Sequence, residues 1–467
     1  MIRFLLKAIF LITLVGFILQ EVDAYFIKDS FYRDSIRTFQ SSDRNFDIVF
    51  FGSSHSYSTF NPAVIENELN VTAINLGSSA QKLIATQVVA DMVLKKNRPD
   101  LAVINVFALS FNEEKNEGFT SSNLLAIDFL PQSFSKSSFI LNTFPANEWP
   151  MAFSETIRNH TEWPESKKPS KTFNYNNDHN HYKGFLTSNS TFDDGTFLKF
   201  EKKYKAQNKR FDTLPDIAKK RIDDIADLFK NNNVPVLFIN APSYVYDVSP
   251  SHNSYAKSIK SYLTEKGHNF LEFNEVKEEI GITRRHYRNP NHLNTRGAIL
   301  ASTYLSAYIK DSLHIPLTKT PINLSGNPYY QSNPKNNSLF YKDLDSVTEK
   351  KLFGITDAKL YKTGEETYNV LFSLSADTIG SQPFRLEHEV TLEELNQYGE
   401  QKIFQNRNKT KIVYYGDFSN IDVLTYQNKS FVVFSFKSPL KQFRNLSFHA
   451  GDKRGTTVFS IDTLSVK

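Results

Sequence analysis

Cysteine is missing from all 467 residues. That excludes disulfide scaffolds, thiolate metal centres and any cysteine nucleophile, while leaving the compartment open. Methionine and tryptophan are almost as scarce, 3 and 2 residues against 40 phenylalanines, so the cores are expected to be phenylalanine-rich. A strong charge of one sign is also lacking. The net +5 is spread along the chain without the basic stripe of nucleic-acid binders, and no nucleic-acid partner is expected. The run Glu201-Lys202-Lys203 reads as solvated surface. There is no internal repeat.

A leader-like apolar run stands at the amino terminus. Arg3 and Lys7 flank residues 8–19, and Val22-Asp23-Ala24 resembles a small-residue cleavage site. Residues 1–24 therefore read as a signal peptide or an N-terminal membrane anchor. Either fate places the remainder outside the cytoplasm, as a secreted, periplasmic or membrane-anchored protein.

The length exceeds that of one usual core, and the patterning changes along it. Residues 25–315 form the first unit, in which short apolar runs at 48–51, 72–76, 101–107, 236–240 and 269–273 alternate with helical patterns at 80–96, 215–231, 255–266 and 295–313. Runs without polar alternation suit strands buried on both faces, so an α/β parallel sheet with covering helices is expected. Residues 113–214 interrupt the rhythm as an insertion, expected to form a lid or binding wall. Its aromatics Phe173, Tyr175, Tyr182 and Phe185 are expected to form a small core of their own more than a sugar-stacking surface. Residues 316–344 read as a polar linker. In residues 345–467, runs at 360–361, 368–374, 384–390, 411–415, 430–436, 444–449 and 457–461, with one short helix at 392–398, predict an all-β sandwich.

Two fragments carry chemistry. Residues 48–51 run directly into Gly52-Ser53-Ser54-His55, and a helix start follows at Asn61-Pro62. This sets a hydroxyl at the carboxyl end of a strand, where α/β sheets place reactive groups. Far downstream comes Asn289-Pro290-Asn291-His292-Leu293-Asn294, just ahead of the last helix of the unit. A serine needs a neighbouring base to become a nucleophile, and Ser54 with His292 supplies both groups. His55 reads as structural. Arg284, Arg285, His286 and Arg288 crowd the loop before His292; a place facing an anionic substrate is one reading of them, and solvated surface is the one expected. His179 and His181 have no evident third ligand, so no metal is expected, and no cofactor.

Read together, these blocks resemble the SGNH/GDSL hydrolase superfamily over about residues 47–313, nearest its divergent branch of exported, polysaccharide- or cell-envelope-modifying members. The resemblance implies a flavodoxin-like three-layer fold, with Ser54 as nucleophile and His292 as base. It also implies oxyanion donors at the Ser54 amide and at Gly77 of Asn75-Leu76-Gly77-Ser78, with Asn105 or Asn112 as a third. Two departures stand out. Ser53 occupies the place of the usual Asp before the nucleophile, and Asn289 occupies that of the acid which orients the base. An amide cannot stabilise imidazolium as a carboxylate does. The implied function is a serine-dependent acyl-ester hydrolase or O-acyltransferase, with acetyl as the expected acyl group, on a cell-surface or extracellular glycan. The alternative is a non-catalytic glycan-binding envelope protein with a degenerate site. An acylated polysaccharide is the expected partner in the first case, and the sandwich is expected to hold glycan or another protein.

Overall fold

Ile48–Phe51 (β1) offers apolar side chains in both directions, so it is stable only with both of its faces covered. The computed structural model describes residues 2–26, 30–107, 121–158, 181–188, 194–206, 212–317, 322, 324, 327 and 329, and then 340–343, 355–362, 366–374, 383–395, 403–406, 409–417, 423–426, 429–451 and 456–465. In it, β1 lies in a five-stranded sheet with Ala73–Asn75 (β2), Leu101–Asn105 (β3), Val236–Asn240 (β4) and Asn269–Glu272 (β5). The order is β2-β1-β3-β4-β5 and every pairing is parallel. This is the flavodoxin-like order, whose crevice opens at the carboxyl ends of β1 and β3, where the order reverses.

Helix Ile2–Phe26 (α1) comes first in the chain, and the helices that cover and position this sheet are Phe31–Ser41 (α2), Ser54–Tyr57 (α3), Pro62–Leu69 (α4), Leu83–Lys96 (α5), Asp216–Asn231 (α6), Pro250–Glu265 (α7) and Thr295–Asp311 (α8). Strand alternation sorts the side chains into two cores. Ile48 and Phe50 join Leu101, Val103 and Ile239 against Ile65 and Leu69 of α4 and Leu305 and Ile309 of α8. Val49 and Phe51 point the other way, with Ile104 and Phe238, against Val89 and Val93 of α5, Ile225 and Phe229 of α6 and Ile259 of α7. Three layers result, as expected from the sequence. Each such apolar side chain, fully buried, contributes about 1.5–3 kcal/mol. Helix α7 begins at Pro250, ahead of the expected 255, because Ser249 caps it by accepting the His252 N–H and Pro250 takes the first helical position.

The first and last blocks are tied together locally. Ser302 Oγ of α8 accepts the Asn61 N–H at 2.8 Å and donates to Thr59 O at 3.1 Å, while Asn61 Oδ1 caps α4. Gly297 in α8 is required by close approach, since a Cβ there would lie 2.5 Å from His286 O.

The insertion packs against the α/β unit. Helices Ser121–Asp128 and Phe134–Thr143 contribute Leu124, Ile127, Phe139 and Ile140 to the core beside α5. A hairpin, His181–Tyr182 with Phe185–Leu186, docks beside β2, where Lys183 O accepts the Asn75 N–H at 2.9 Å. Tyr182 donates to Glu66 Oε2 of α4 and Phe185 is buried, so these two aromatics serve the α/β unit rather than a core of the insertion's own. Phe173 and Tyr175 lie outside the described residues. Helix Asp194–Lys205 brings Tyr204 to the rim of the crevice, edge-on to His252 with centroids 5.7 Å apart.

Asp23 of α1, inside the tripeptide read as a cleavage site, accepts from Ser154 Oγ and the Thr156 N–H, each at 2.7 Å. Phe4, Leu6, Phe10 and Phe17 of the same helix are exposed. No helix among the described residues is long and apolar enough to cross a membrane.

The carboxyl-terminal part is two antiparallel sheets over one core. One orders Phe340–Asp343, Ile355–Lys362, Thr367–Leu374, Lys429–Lys437 and Val423–Tyr426; the other orders Ile403–Asn406, Lys409–Asp417, Pro383–Val390, Gln442–Ala450 and Thr456–Ser465. Tyr368 and Phe372 of the first sheet meet Phe443 and Phe448 of the second, at centroid distances of 5.0 and 4.5 Å. Strand Phe340–Asp343 falls inside the span read as linker, and its pairing with Ile355–Lys362 corrects that boundary. Strands Ile403–Asn406 and Val423–Tyr426 also escaped the sequence reading, being four-residue runs at sheet edges.

Gly184 turns the docked hairpin at φ +85°, and a Cβ there would lie 1.8 Å from Asn75 O. Gly184→Ala is therefore expected to cost at least about 2 kcal/mol and to lower the thermal midpoint by several degrees in calorimetry. An unchanged midpoint would contradict the docking described.

Candidate active site

From residue 46 to 66 every side chain is buried except Ser54. The backbone makes this possible at Gly52, whose φ is +128° and whose missing Cβ would otherwise lie 2.8 Å from Asn105 Cβ on β3. The chain turns there between β1 and the single turn of α3, exposing the first helical residue. Ser53 caps that turn, its Oγ accepting the His55 N–H at 3.4 Å. The hydroxyl caps the turn without bringing a charge.

His292 arrives from the opposite end of the unit on a small hairpin, Tyr287–Asn289 with His292–Leu293. Its Nε2 lies 2.7 Å from Ser54 Oγ and its Nδ1 lies 2.9 Å from Asn289 Oδ1. The same Asn289 oxygen accepts the backbone N–H groups of Asn291 and His292, both at 3.0 Å. Backbone amides are obligate donors, so the atom facing them is the amide oxygen. That fixes the tautomer: His292 carries its proton on Nδ1, and Nε2 is left as acceptor for the Ser54 hydroxyl. The turn is clamped from behind, with Pro290 O accepting from Ser243 Oγ at 3.0 Å and from the Val245 N–H at 3.2 Å. Asn291 meets Tyr204 of the insertion at 3.3 Å. The structure thus brings Ser54, His292 and Asn289 together in one hydrogen-bonded chain.

The other predicted residues divide. Gly77 does not have a free amide: its N–H donates to Asn75 Oδ1 at 3.0 Å, which removes it as an oxyanion donor. Asn75 is a buried hub, also accepting from Ser56 Oγ and donating to Ser56 O and Phe60 O. The need for glycine at 77 is steric, because a Cβ would sit 3.0 Å from Gly52 O and from Ser56 Cβ. Asn105 fares better. Its Oδ1 accepts the Phe107 N–H, and its Nδ2 is buried with no acceptor among the described residues. The Ser54 N–H, first in α3, likewise has no acceptor among the described residues. Asn112 lies outside the described residues, as does His179. Among the described residues no cluster of histidine and carboxylate side chains fits a metal.

The loop read as solvated surface is partly inward. Arg285 is exposed, but His286 is buried, its Nδ1 accepting the Thr283 N–H at 2.9 Å. The Arg284 guanidinium lies 3.4 Å from the centre of the Phe197 ring. Arg288 is half-buried beside the dyad and donates to Ser58 Oγ at 2.8 Å. Three imidazoles are depressed by burial. His292 is pushed down to about 3, with the Arg288 charge adding to desolvation. His252 falls to about 4 through desolvation, and its Nδ1 meets Ser249 Oγ at 2.8 Å. His55 is lowered by burial first and then by His292; it stacks on Phe107 at 3.4 Å and on His292 at 4.6 Å. His55 is therefore a packing wall for the base. Sequence reasoning missed Asn75 and His252, neither of which has a diagnostic spacing.

No family model matches this sequence, and no curated protein does. Among solved structures the chain is similar to a proposed lipolytic protein of the G-D-S-L family from Desulfitobacterium hafniense, at 13% identity over 56% of this chain and 98% of that one, TM-score 0.29. It is also similar to a proposed acylhydrolase from Bacteroides fragilis (9% identity, 62% and 100% covered, TM-score 0.31). A third is a proposed GDSL-like lipase from Parabacteroides merdae (12% identity, 57% and 97% covered, TM-score 0.27). The fold itself is defined by the sheet order given above.

Two outcomes follow from the geometry. A base depressed to about 3 stays neutral as pH falls through the ordinary imidazole range, so kcat/KM for a neutral ester is expected to hold level there and fall only toward about 3. An acid limb centred near about 6.5 would contradict it. Asn289→Asp offers a carboxylate to the same three N–H groups and raises the His292 pKa. Turnover is expected to increase by one to several orders of magnitude, the reverse of the roughly 10⁴-fold loss that the opposite change causes in a serine protease, with the acid limb moving upward. Steady-state pH profiles of the two forms measure both effects.

Proposed function

We propose that the chain is a serine-dependent acyl-ester hydrolase or O-acyltransferase, with acetyl as the acyl group, acting on a cell-surface or extracellular glycan. The reading rests above all on one observation: Ser54 Oγ lies 2.7 Å from a His292 nitrogen whose tautomer Asn289 fixes. Ser54 attacks the acyl carbonyl as its proton passes to His292 Nε2. The Ser54 N–H and Asn105 Nδ2 stabilise the oxyanion. His292 then gives the proton to the departing alkoxide, leaving acyl-Ser54. Water or a sugar hydroxyl attacks next, losing its proton to His292, and Ser54 regains that proton as the acyl group departs. Water makes the reaction hydrolysis; a sugar hydroxyl makes it transfer.

Asn289 supplies a dipole and not a charge, so the imidazolium formed in each step is stabilised less than beside a carboxylate. A slow enzyme is the consequence. In this reading residues 25–315 are the catalytic unit, 113–214 form its wall and 345–467 hold glycan or a partner protein. The apolar residues 8–19 behind Arg3 and Lys7 support a site of action outside the cytoplasm, secreted, periplasmic or anchored.

Acetate release from 4-nitrophenyl acetate and from acetylated polysaccharide tests the reading, with and without added sugar acceptor. Ser54→Ala and His292→Ala are each expected to lower turnover by at least about 10³-fold without changing the circular dichroism spectrum. A folded wild-type protein that turns over no ester would return the crevice to a binding role.

A further inference from the structure

Arg288 stands one residue before Asn289 on the hairpin that carries the base. Its Nη2 is bonded to Ser58 Oγ, and Ser58 N–H in turn bonds Ser54 O, so the guanidinium sits at the far end of the same helical turn that begins with the nucleophile. Its other side-chain partner is Tyr57, also neutral. Among the described residues no carboxylate lies within 4.0 Å of Arg288, and its Nε is buried without an acceptor. A half-buried charge with only neutral partners is costly to keep, and it disfavours the imidazolium that catalysis must form nearby. Both penalties vanish when an anion arrives with the substrate. The neighbouring cations do not share the position: Arg284 lies over Phe197, Arg285 is exposed and His286 is engaged with Thr283.

We propose that Arg288 is the binding residue for a carboxylate carried by the substrate next to its ester, so that the substrate class is an acylated acidic sugar, a uronate, rather than a neutral one. One unshared guanidinium matches one negative charge, and its planar donors suit a carboxylate. A phosphate dianion would call for further cations. The inference rests on the acyl-transfer reading for the ester, but the binding of the acid does not require turnover.

The test is therefore made by binding as well as by rate. Calorimetry compares a galacturonate trisaccharide, the matching neutral galactose trisaccharide and galactose 6-phosphate on the full-length protein. The uronate is expected to bind at least tenfold tighter than the neutral sugar. That preference should fall to near unity in Arg288→Gln and survive in part in Arg288→Lys. In parallel, the ratio of kcat/KM for acetylated galacturonate over acetylated galactose should exceed ten in the wild type and collapse in Arg288→Gln. Equal binding of acidic and neutral sugars by the wild type overturns the proposal with no variant needed, as does a preference that survives in Arg288→Gln. Preference for the 6-phosphate over the uronate overturns the carboxylate assignment. Uronate-selective binding lost in Arg288→Gln, with no ester turnover at all, upholds the anion site while sinking the acyl-transfer reading.

Discussion

A single hydrogen bond, from Ser54 Oγ to His292 Nε2, joins side chains 238 positions apart. It forms only because α4 and α8 lie on one face of the sheet and share a core, with Ser302 locking the start of α4 to α8. That packing brings the turn after β1 and the hairpin before α8 to the same crevice. The close approaches at Gly52 and Gly297 follow from this, each leaving no room for a Cβ, and that at Gly77 is nearly as tight. Buried apolar area holds the two ends together, and the polar contacts choose the register.

The electrostatics are those of a dyad oriented by neutral groups. Ser53 caps at one end and Asn289 orients the ring at the other, neither of them a carboxylate. At His292 burial depresses the imidazole and the Arg288 charge adds to it. The geometry of a triad survives because Asn289 presents an oxygen to three N–H groups at once, which an amide does as well as a carboxylate. What it cannot do as well is stabilise the protonated ring.

Much of this was legible in the sequence. The strands of the parallel sheet are bare apolar runs, and the order of the Ser54 and His292 blocks is preserved in the chain, so both fold class and dyad follow from pattern. The four-residue edge strands of the sandwich were not, because a short run paired on one side has little patterning of its own. Gly77 misled because a turn glycine looks the same whether its amide faces substrate or, as here, Asn75 Oδ1. Arg288 was weighed between surface and an anionic substrate and set down as surface, for a related reason. Whether a cationic loop residue points outward or inward depends on tertiary packing, and Ser58, its hydrogen-bond partner, is 230 positions away.

The claim that Ser54 is an activated nucleophile is tested most directly by covalent labelling with a fluorophosphonate, followed by intact-mass measurement and peptide mapping. The account predicts one adduct per chain, located on Ser54, that is absent in Ser54→Ala and forms far more slowly in His292→Ala. A folded wild-type protein that stays unlabelled across the pH range, or an adduct that forms equally fast without Ser54, would contradict it.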